Sequence, residues 1–311
     1  MENVIVIGGG PAGYTAAIYT ARALLSPKIF VGYSPGGQIT LTNDLENYPG
    51  FPESIGGFDF YQRLNQQAQK FGAEVIPEEV TAIDLSKSPF TISTSEKSYQ
   101  TKALIIATGA APRKLDIPGE KELTGRGVSY CATCDGFFFR NKHVAVIGGG
   151  NSALDEGLFL TRFAAKVTVI HRRDQLRATQ ILQDRAMKNE KIDFIWETVV
   201  EEILGTDKLN ALRLRNVKTN ETHDFPVDGV FIFIGYSPRS ELFKNQLKMD
   251  PNGYLIVNEK KETNIPGVFA AGDIEDPIYR QVSTSTGAAT VAAIEAEKYI
   301  AELEGRSYPG K

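Results

Sequence analysis

Val4-Ile5-Val6-Ile7-Gly8-Gly9-Gly10-Pro11-Ala12-Gly13 is the stretch whose reading decides the fold. A short β-branched run breaks into a glycine turn, and residues 14–24 continue in a helix-favouring pattern, so the segment reads as strand, turn, helix. The spacing Gly8-x-Gly10-x-x-Gly13 suits a dinucleotide. It permits a tight turn, lets the backbone approach a pyrophosphate, and points helix N-terminal amides at its negative charge. Alone the spacing would mark only a turn; between a strand and a helix it marks a nucleotide-binding fold. Gly8, Gly10, Pro11, Ala12 and Gly13 are its candidate contacts.

The pattern then returns. Val144-Ala145-Val146-Ile147-Gly148-Gly149-Gly150-Asn151-Ser152-Ala153 copies strand and turn as GxGxxA, which predicts a second dinucleotide site at Gly148, Gly150, Asn151, Ser152 and Ala153. The closing strands echo each other as well. Residues 103–107 run into Gly109-Ala110-Ala111-Pro112-Arg113, and residues 229–234 into Gly235-Tyr236-Ser237-Pro238-Arg239. Two units that each end in G-x-x-P-R are hard to obtain by chance. Because the second unit is inserted between the hinges, residues beyond the second hinge must return to complete the first. The predicted fold is α/β, with two Rossmann-like domains. Residues 1–112 and 241–311 form a discontinuous domain, and residues 113–240 are nested within it.

Residues 28–31 read as the second strand, but it ends in Gly32-Tyr33-Ser34-Pro35 where an acid would usually hold the adenosine ribose. Ser34 and the nearby backbone are the candidates left. Residues 36–38 and 43–51 are turn-rich and read as loops rather than core, either lining a ligand crevice or simply exposed. Residues 58–71 have helical apolar spacing, with Phe60, Leu64 and Phe71 toward the core, and residues 73–76, 80–85 and 90–94 read as short strands. Residues 264–273 form a turn and a short strand ending in Gly272-Asp273. Asp273 could accept hydrogen bonds from sugar hydroxyls or serve as a turn or cap residue. Residues 285–300 read as a long, alanine-rich helix packed on the sheet.

The second unit differs where nucleotide choice is made. Its strand 167–170 ends in His171-Arg172-Arg173, with Arg177 one turn on, where an NAD enzyme would carry an acid. Guanidiniums there suit a ribose 2′-phosphate, so NADPH is expected over NADH; the plain alternative is a solvated basic loop.

Both cysteines fall in Cys131-Ala132-Thr133-Cys134-Asp135-Gly136. Two thiols separated by two residues can close a small disulfide, reopen it, and pass electrons on by exchange. A structural bridge over so short a loop constrains the unfolded chain least, and a zinc site would need four ligands from a chain with no third cysteine and only three histidines, so no metal is expected. Asp135 could exchange protons with the thiols or cap a helix beginning near Gly136. Gly125-Arg126-Gly127 and Phe137-Phe138-Phe139 flank the pair as a candidate docking surface, with at least one phenylalanine expected in the core.

A chain of 311 residues suggests about two domains. A net charge of −4 and the absence of a basic block argue against nucleic-acid binding, and no run approaches the ~18 apolar residues of a membrane span. The start of the chain has no basic, apolar leader pattern, which points to a reducing, cytoplasmic setting where a CxxC is more apt to cycle than to staple.

Taken together, these motifs resemble bacterial-type, low-molecular-weight thioredoxin reductases along essentially the whole chain. The resemblance rests on residues 8–13, Gly36-Gly37-Gln38, Glu46-Asn47-Tyr48-Pro49-Gly50, Ala107-Thr108-Gly109, residues 131–136, 148–153 and 171–177, Gly272-Asp273, and Tyr279-Arg280-Gln281. It implies FAD in the discontinuous domain, contacted by the first glycine turn and by Gly37, Gln38, Asn47, Ala107, Thr108, Gly109, Asp273, Arg280, Gln281 and Val282. It implies NADPH and the redox pair in the nested domain, with His171, Arg172, Arg173 and Arg177 at the phosphate and Asp135 as general acid. It further implies electron flow from NADPH through FAD and a Cys131–Cys134 disulfide to thioredoxin, and a homodimer. Cys134 would then lie nearer the flavin and Cys131 nearer the partner.

Chain order puts the cysteines and the NADPH site on one domain and the flavin on the other. The nested domain is therefore expected to rotate about the linkers near Arg113 and Arg239, presenting nicotinamide and disulfide in turn. The rival readings are a related flavin reductase using ferredoxin as donor or another acceptor, and a flavin redox sensor that signals without turnover.

Overall fold

The computed structural model describes residues 1–33, 35–41, 45, 48–130 and 132–306, with the backbone alone of Leu41, Thr133 and Cys134. Ser34, Asn47 and Cys131, and the side chain of Cys134, therefore lie outside the described residues. The chain divides into two compact units, residues 1–111 with 237–311, and residues 112–236.

In the first unit the strand Glu2–Ile7 lies between Lys28–Phe30 and Ser98–Ile106, parallel to both. Glu74–Ile76 extends the sheet beyond Lys28–Phe30, and Val268–Ala270 extends it beyond Ser98–Ile106. One edge of Ser98–Ile106 serves two partners. Its first half pairs antiparallel with Phe90–Thr94, which in turn pairs with Val80–Asp84, and its last three residues pair parallel with Val268–Ala270. Val4, Ile5, Val6 and Leu104 to Ile106 are wholly buried, as continuous apolar runs require of strands covered on both faces.

Helix Pro11–Arg22 packs against helix Val282–Leu303 over the sheet. The facing residues are small: Ala16, Ala17 and Ala21 on one, Ala289, Ala292, Ala293 and Ala296 on the other. Small side chains let helix backbones approach closely, which is what the alanine-rich pattern provides.

The second unit repeats the plan. Its strands run Ile192–Ile195, Lys166–Ile170, His143–Ile147, Gly229–Ile232, Val128–Ser129 across the sheet, every neighbouring pair parallel. In the first unit the fifth strand, Val268–Ala270, comes from chain after the insertion; in the second, Val128–Ser129 comes from chain before the glycine turn. Helix Asn151–Leu160 follows that turn as Pro11–Arg22 follows the first.

Three features differ from the pattern reading. The turn-rich stretches at 36–38 and 43–51, read as loops rather than core, contribute Leu45, Tyr48 and Phe51 to a packed cluster. Gly37–Leu41 forms a 3₁₀ turn, and Ile39, Leu45, Ile55 and Phe60 make a small core of their own, with Tyr48, Phe51 and Val282 packed on it. Apolar residues scattered among Gly, Pro and Asn have no period, so this core leaves no periodic signature. The long helix starts at Val282, where Gln281 and Thr284 close a capping box. Finally, Thr198–Gly205, Leu209–Asn216 and Thr222–Pro226 form an antiparallel sheet. Its outer face carries Arg213 paired with Glu202 and Asp224, and Arg215 with Glu201, so charge masks the strand pattern.

Candidate active site

The five parallel strands of the first unit point the same way, and the first glycine turn follows Glu2–Ile7 at the edge where they end. Gly8 has φ +125, a conformation open to glycine, and a Cβ on it would run into the Ala107 carbonyl oxygen. Gly13 sits directly under the Gly8 carbonyl, which is how the helix reaches the strand so closely. Gly10 is the exception: nothing lies within 4 Å of where its Cβ would stand. It is the N-cap of Pro11–Arg22, with no side-chain cap bond and no acid in the first turn. The helix therefore offers uncapped amides and a positive dipole end over open space, which fits a pyrophosphate.

Of the other predicted residues, Gly37, Ala107 and Gly272 lie against this turn, and the rest are held nearby in the chain by their own contacts. Gly36 N donates to Gly9 O at 2.8 Å, and a Cβ on Gly37 would stand 3.3 Å from the Gly10 Cα. Gln38 is half-buried in the same 3₁₀ turn. Ala107 N bonds to Ile7 O, Thr108 Oγ1 donates to Arg239 O, and Arg239 N donates to Gly109 O. Gly272 meets Ala12, a Cβ there standing 2.9 Å from the Ala12 Cβ. Asp273 accepts a 3.0 Å hydrogen bond from Ser285, and burial pushes its carboxyl above the usual range. Arg280 N donates to Asp276, Gln281 caps the long helix, and Val282 packs on the small core formed by Ile39 and Leu45.

One neighbour had no sequence signal. Gly32 ends the second strand with φ +69, and a Cβ there would stand 2.6 Å from Glu79 Oε2. An acid thus reaches the strand end from the loop after Glu74–Ile76, at the place where the sequence supplies none in line. Only strand pairing makes Glu79 a neighbour of Gly32, although its acidic type was visible.

The second glycine turn is built alike. Gly148 has φ +145 and fits against Phe233 O and the Ala153 Cβ, while Gly150 caps Asn151–Leu160 with open space at its Cβ position and no cap bond. Ser152 is exposed, and Asn151 Oδ1 accepts from Thr179 N at 2.7 Å. His171 lies under the turn with its ring against Gly149; it is buried, and its Nε2 is 3.1 Å from Gln175 O. Burial, with Arg177, Arg172 and Arg173 nearby, lowers its pKa, so the ring is held toward neutrality. Its geometry is that of a wedge beneath the loop. The loop is also tied by Arg177 N donating to Gly149 O at 2.7 Å, leaving the side chains of Arg172, Arg173 and Arg177 exposed above it.

The residues on either side of Cys131 are both anchored. Tyr130 donates at 2.7 Å to Glu120, a buried carboxylate that also accepts from Leu115 N at 3.0 Å and Asp116 N at 2.6 Å. On the other side Ala132, fully buried, begins the short helix Ala132–Asp135, and its amide bonds to the carboxyl of Glu156. Asp135 is half-buried and makes no cap bond to the 3₁₀ turn Gly136–Phe139 that follows, so the capping role is not taken up. Of the three phenylalanines, Phe139 enters the core beside Phe231, whereas Phe137 and Phe138 are 62% and 69% exposed.

Comparison with known proteins agrees with this arrangement. The family described as pyridine nucleotide-disulphide oxidoreductase matches residues 2–292. Thioredoxin reductase of Streptomyces coelicolor is 50% identical over 100% of this chain and 98% of its own length, and that of Rickettsia felis is 49% identical over 96% and 98%. The crystal structure of Lactococcus lactis thioredoxin reductase superposes with a TM-score of 0.86 at 44% identity, covering 97% of this chain and all of that one. The chain therefore belongs to the pyridine nucleotide-disulphide oxidoreductases.

Proposed function

We propose that the protein is a thioredoxin-disulfide reductase, carrying electrons from NADPH through FAD and a Cys131–Cys134 disulfide to oxidised thioredoxin. The observation that carries this reading is the combination of two uncapped helix termini over open glycines with a CxxC whose neighbours of Cys131, Tyr130 and Ala132, are both anchored by buried carboxyls. FAD, when bound, supplies a ring that accepts hydride and returns electron pairs to a disulfide. Residues 1–111 and 237–311 hold it through Gly8, Gly10, Pro11, Ala12, Gly13, Gly37, Gln38, Asn47, Ala107, Thr108, Gly109, Asp273, Arg280, Gln281 and Val282. Glu79 is the added candidate for the adenosine ribose.

Residues 112–236 hold NADPH at Gly148, Gly150, Asn151, Ser152 and Ala153, with Arg172, Arg173 and Arg177 gripping the 2′-phosphate as planar, permanently charged donors. His171 supports them from below. Opening the disulfide takes two electrons and, at full reduction, two protons, and Asp135, next to Cys134 in the chain, exchanges one of these. The Cys131 thiolate then attacks the partner's disulfide, and Cys134 displaces the partner's dithiol as the internal bond re-forms. Phe137, Phe138 and Arg126, all exposed, suit an interface with thioredoxin. The working form is taken as a cytoplasmic homodimer. Among the described residues no helix is long and apolar enough to cross a membrane.

Anaerobic addition of NADPH should bleach the bound flavin, and NADPH consumption should then continue only with oxidised thioredoxin. A flavin that NADPH cannot bleach overturns the donor, and thioredoxin left oxidised overturns the acceptor.

A further inference from the structure

We propose that Glu156 is a positioning residue for the redox pair: it holds the peptide N–H that follows Cys131 and, when ionised, disfavours thiolate at the cysteines. The inference rests on the reading of Cys131 and Cys134 as redox-active.

Helix Asn151–Leu160 buries Ala153, Leu154, Gly157 and Leu160. Glu156 is three residues after Ala153 and four before Leu160, which places a carboxyl on the core-facing side of the helix. A buried carboxylate normally fills its acceptor sites. Glu120, on the other flank of Cys131, does so with three donors. Glu156 does not. Its amide bond comes from Ala132, and its Oε2 is buried without a hydrogen-bond partner among the described residues.

The elements packed on this helix carry the charged or titratable residues Asp135, His143, Lys166, Asp184 and Arg185 and the Cys134 thiol. Among the described residues, the charge acting on the carboxyl comes from Asp155, of the same sign. Burial first, and Asp155 second, raise the Glu156 pKa from 4.5 to about 7. The site is therefore a carboxyl with no compensating cation, one peptide from a cysteine that must become a thiolate. The Ala132 N–H is covalently joined to Cys131, so a carboxylate bonded to it stands only a few bonds from that residue, and neighbouring negative charges oppose each other's formation. The carboxyl takes up a proton as the thiolate forms and releases it as the disulfide closes, so no co-reactant beyond solvent protons is needed.

The test is alkylation of the reduced, flavin-loaded protein by iodoacetamide between pH 6 and 9, comparing wild type with Glu156→Gln. Glutamine keeps a carbonyl to accept the Ala132 amide and removes the charge. Thiolate is the reacting form, so the two proteins should react alike near pH 6, where Glu156 is protonated. By pH 8 the variant should react about three- to tenfold faster, the factor carried by roughly half to one unit of thiol pKa. Equal rates throughout, or a difference independent of pH, overturn the proposal. If the variant fails to fold, the reduced-minus-oxidised infrared difference spectrum of wild type at pH 7.5 decides. A carboxylic C=O band that shifts on ¹³C-glutamate labelling supports it, and its absence overturns it. Wild type that cannot reduce thioredoxin would refute the acceptor while leaving the alkylation result readable.

Discussion

Gly149→Ala should weaken NADPH binding while leaving flavin content unchanged. The backbone at Gly149 is not in the left-handed region, so the cost is steric alone. The added methyl would strike the His171 ring, with Nδ1 at 2.5 Å and Nε2 at 2.7 Å, both closer than real Cβ atoms come. The ring cannot simply swing aside. His171 is 5% exposed, its N bonds to Ile195 O at 2.9 Å, and its Nε2 meets Gln175 O. Displacing it moves the loop that carries Arg172, Arg173 and Arg177. Overpacking of this kind costs about 1–3 kcal/mol. If all of it falls on the nucleotide cradle, affinity drops about 5- to 150-fold.

Isothermal titration with NADP⁺ reads the affinity, and the 450 nm to 280 nm absorbance ratio reads flavin content. The double variant Gly149→Ala/His171→Ala removes the struck ring and should recover part of the loss, a coupling of about 1–2 kcal/mol. Unchanged affinity in Gly149→Ala, or strict additivity in the double variant, would refute the wedge.

Replacing either cysteine, Cys131→Ser or Cys134→Ser, should abolish thioredoxin reduction yet leave flavin bleaching by NADPH intact in stopped-flow absorbance. Arg172→Ala/Arg173→Ala should raise KM for NADPH about tenfold or more with little change for NADH, because only the former carries the 2′-phosphate. Glu79→Gln should weaken FAD retention several-fold in equilibrium dialysis without altering NADP⁺ affinity. The folded pKa of Glu156 lies above its unfolded value. Its contribution to stability is thus fully present below about pH 4.5 and is lost as pH rises through 7, and Tm of wild type should fall between pH 5 and 8 relative to Glu156→Gln.

Much of the architecture was legible because it rests on local chemistry repeated twice. The two β-branched runs, the two glycine turns and the two G-x-x-P-R closures each need only a few consecutive residues, and the alanine run of residues 288–296 announces a close helix contact. The charged antiparallel sheet of residues 198–226 and the small core around Ile39 and Phe60 were not legible, because surface charge and aperiodic turns hide the pattern in each. Of the site, the residue types at positions 131–135 and 171–177 were readable, but their jobs were not all so. His171 stands among arginines in sequence and against Gly149 in space.

By itself the sequence determined that this protein has two nucleotide folds, one nested in the other, with a cysteine pair in the inner one. Those properties follow from spacing along the chain. Tertiary structure decided which carboxyls meet the segments singled out in the sequence: Glu79 at the end of the second strand, Glu120 on Tyr130, and Glu156 at Ala132. Each comes from a different element, brought in by strand pairing, a folded loop or helix packing. Burial then separates carboxyls that look alike in sequence: Glu120 accepts from three donors, and Glu156, at Ala132, keeps an oxygen without a partner among the described residues.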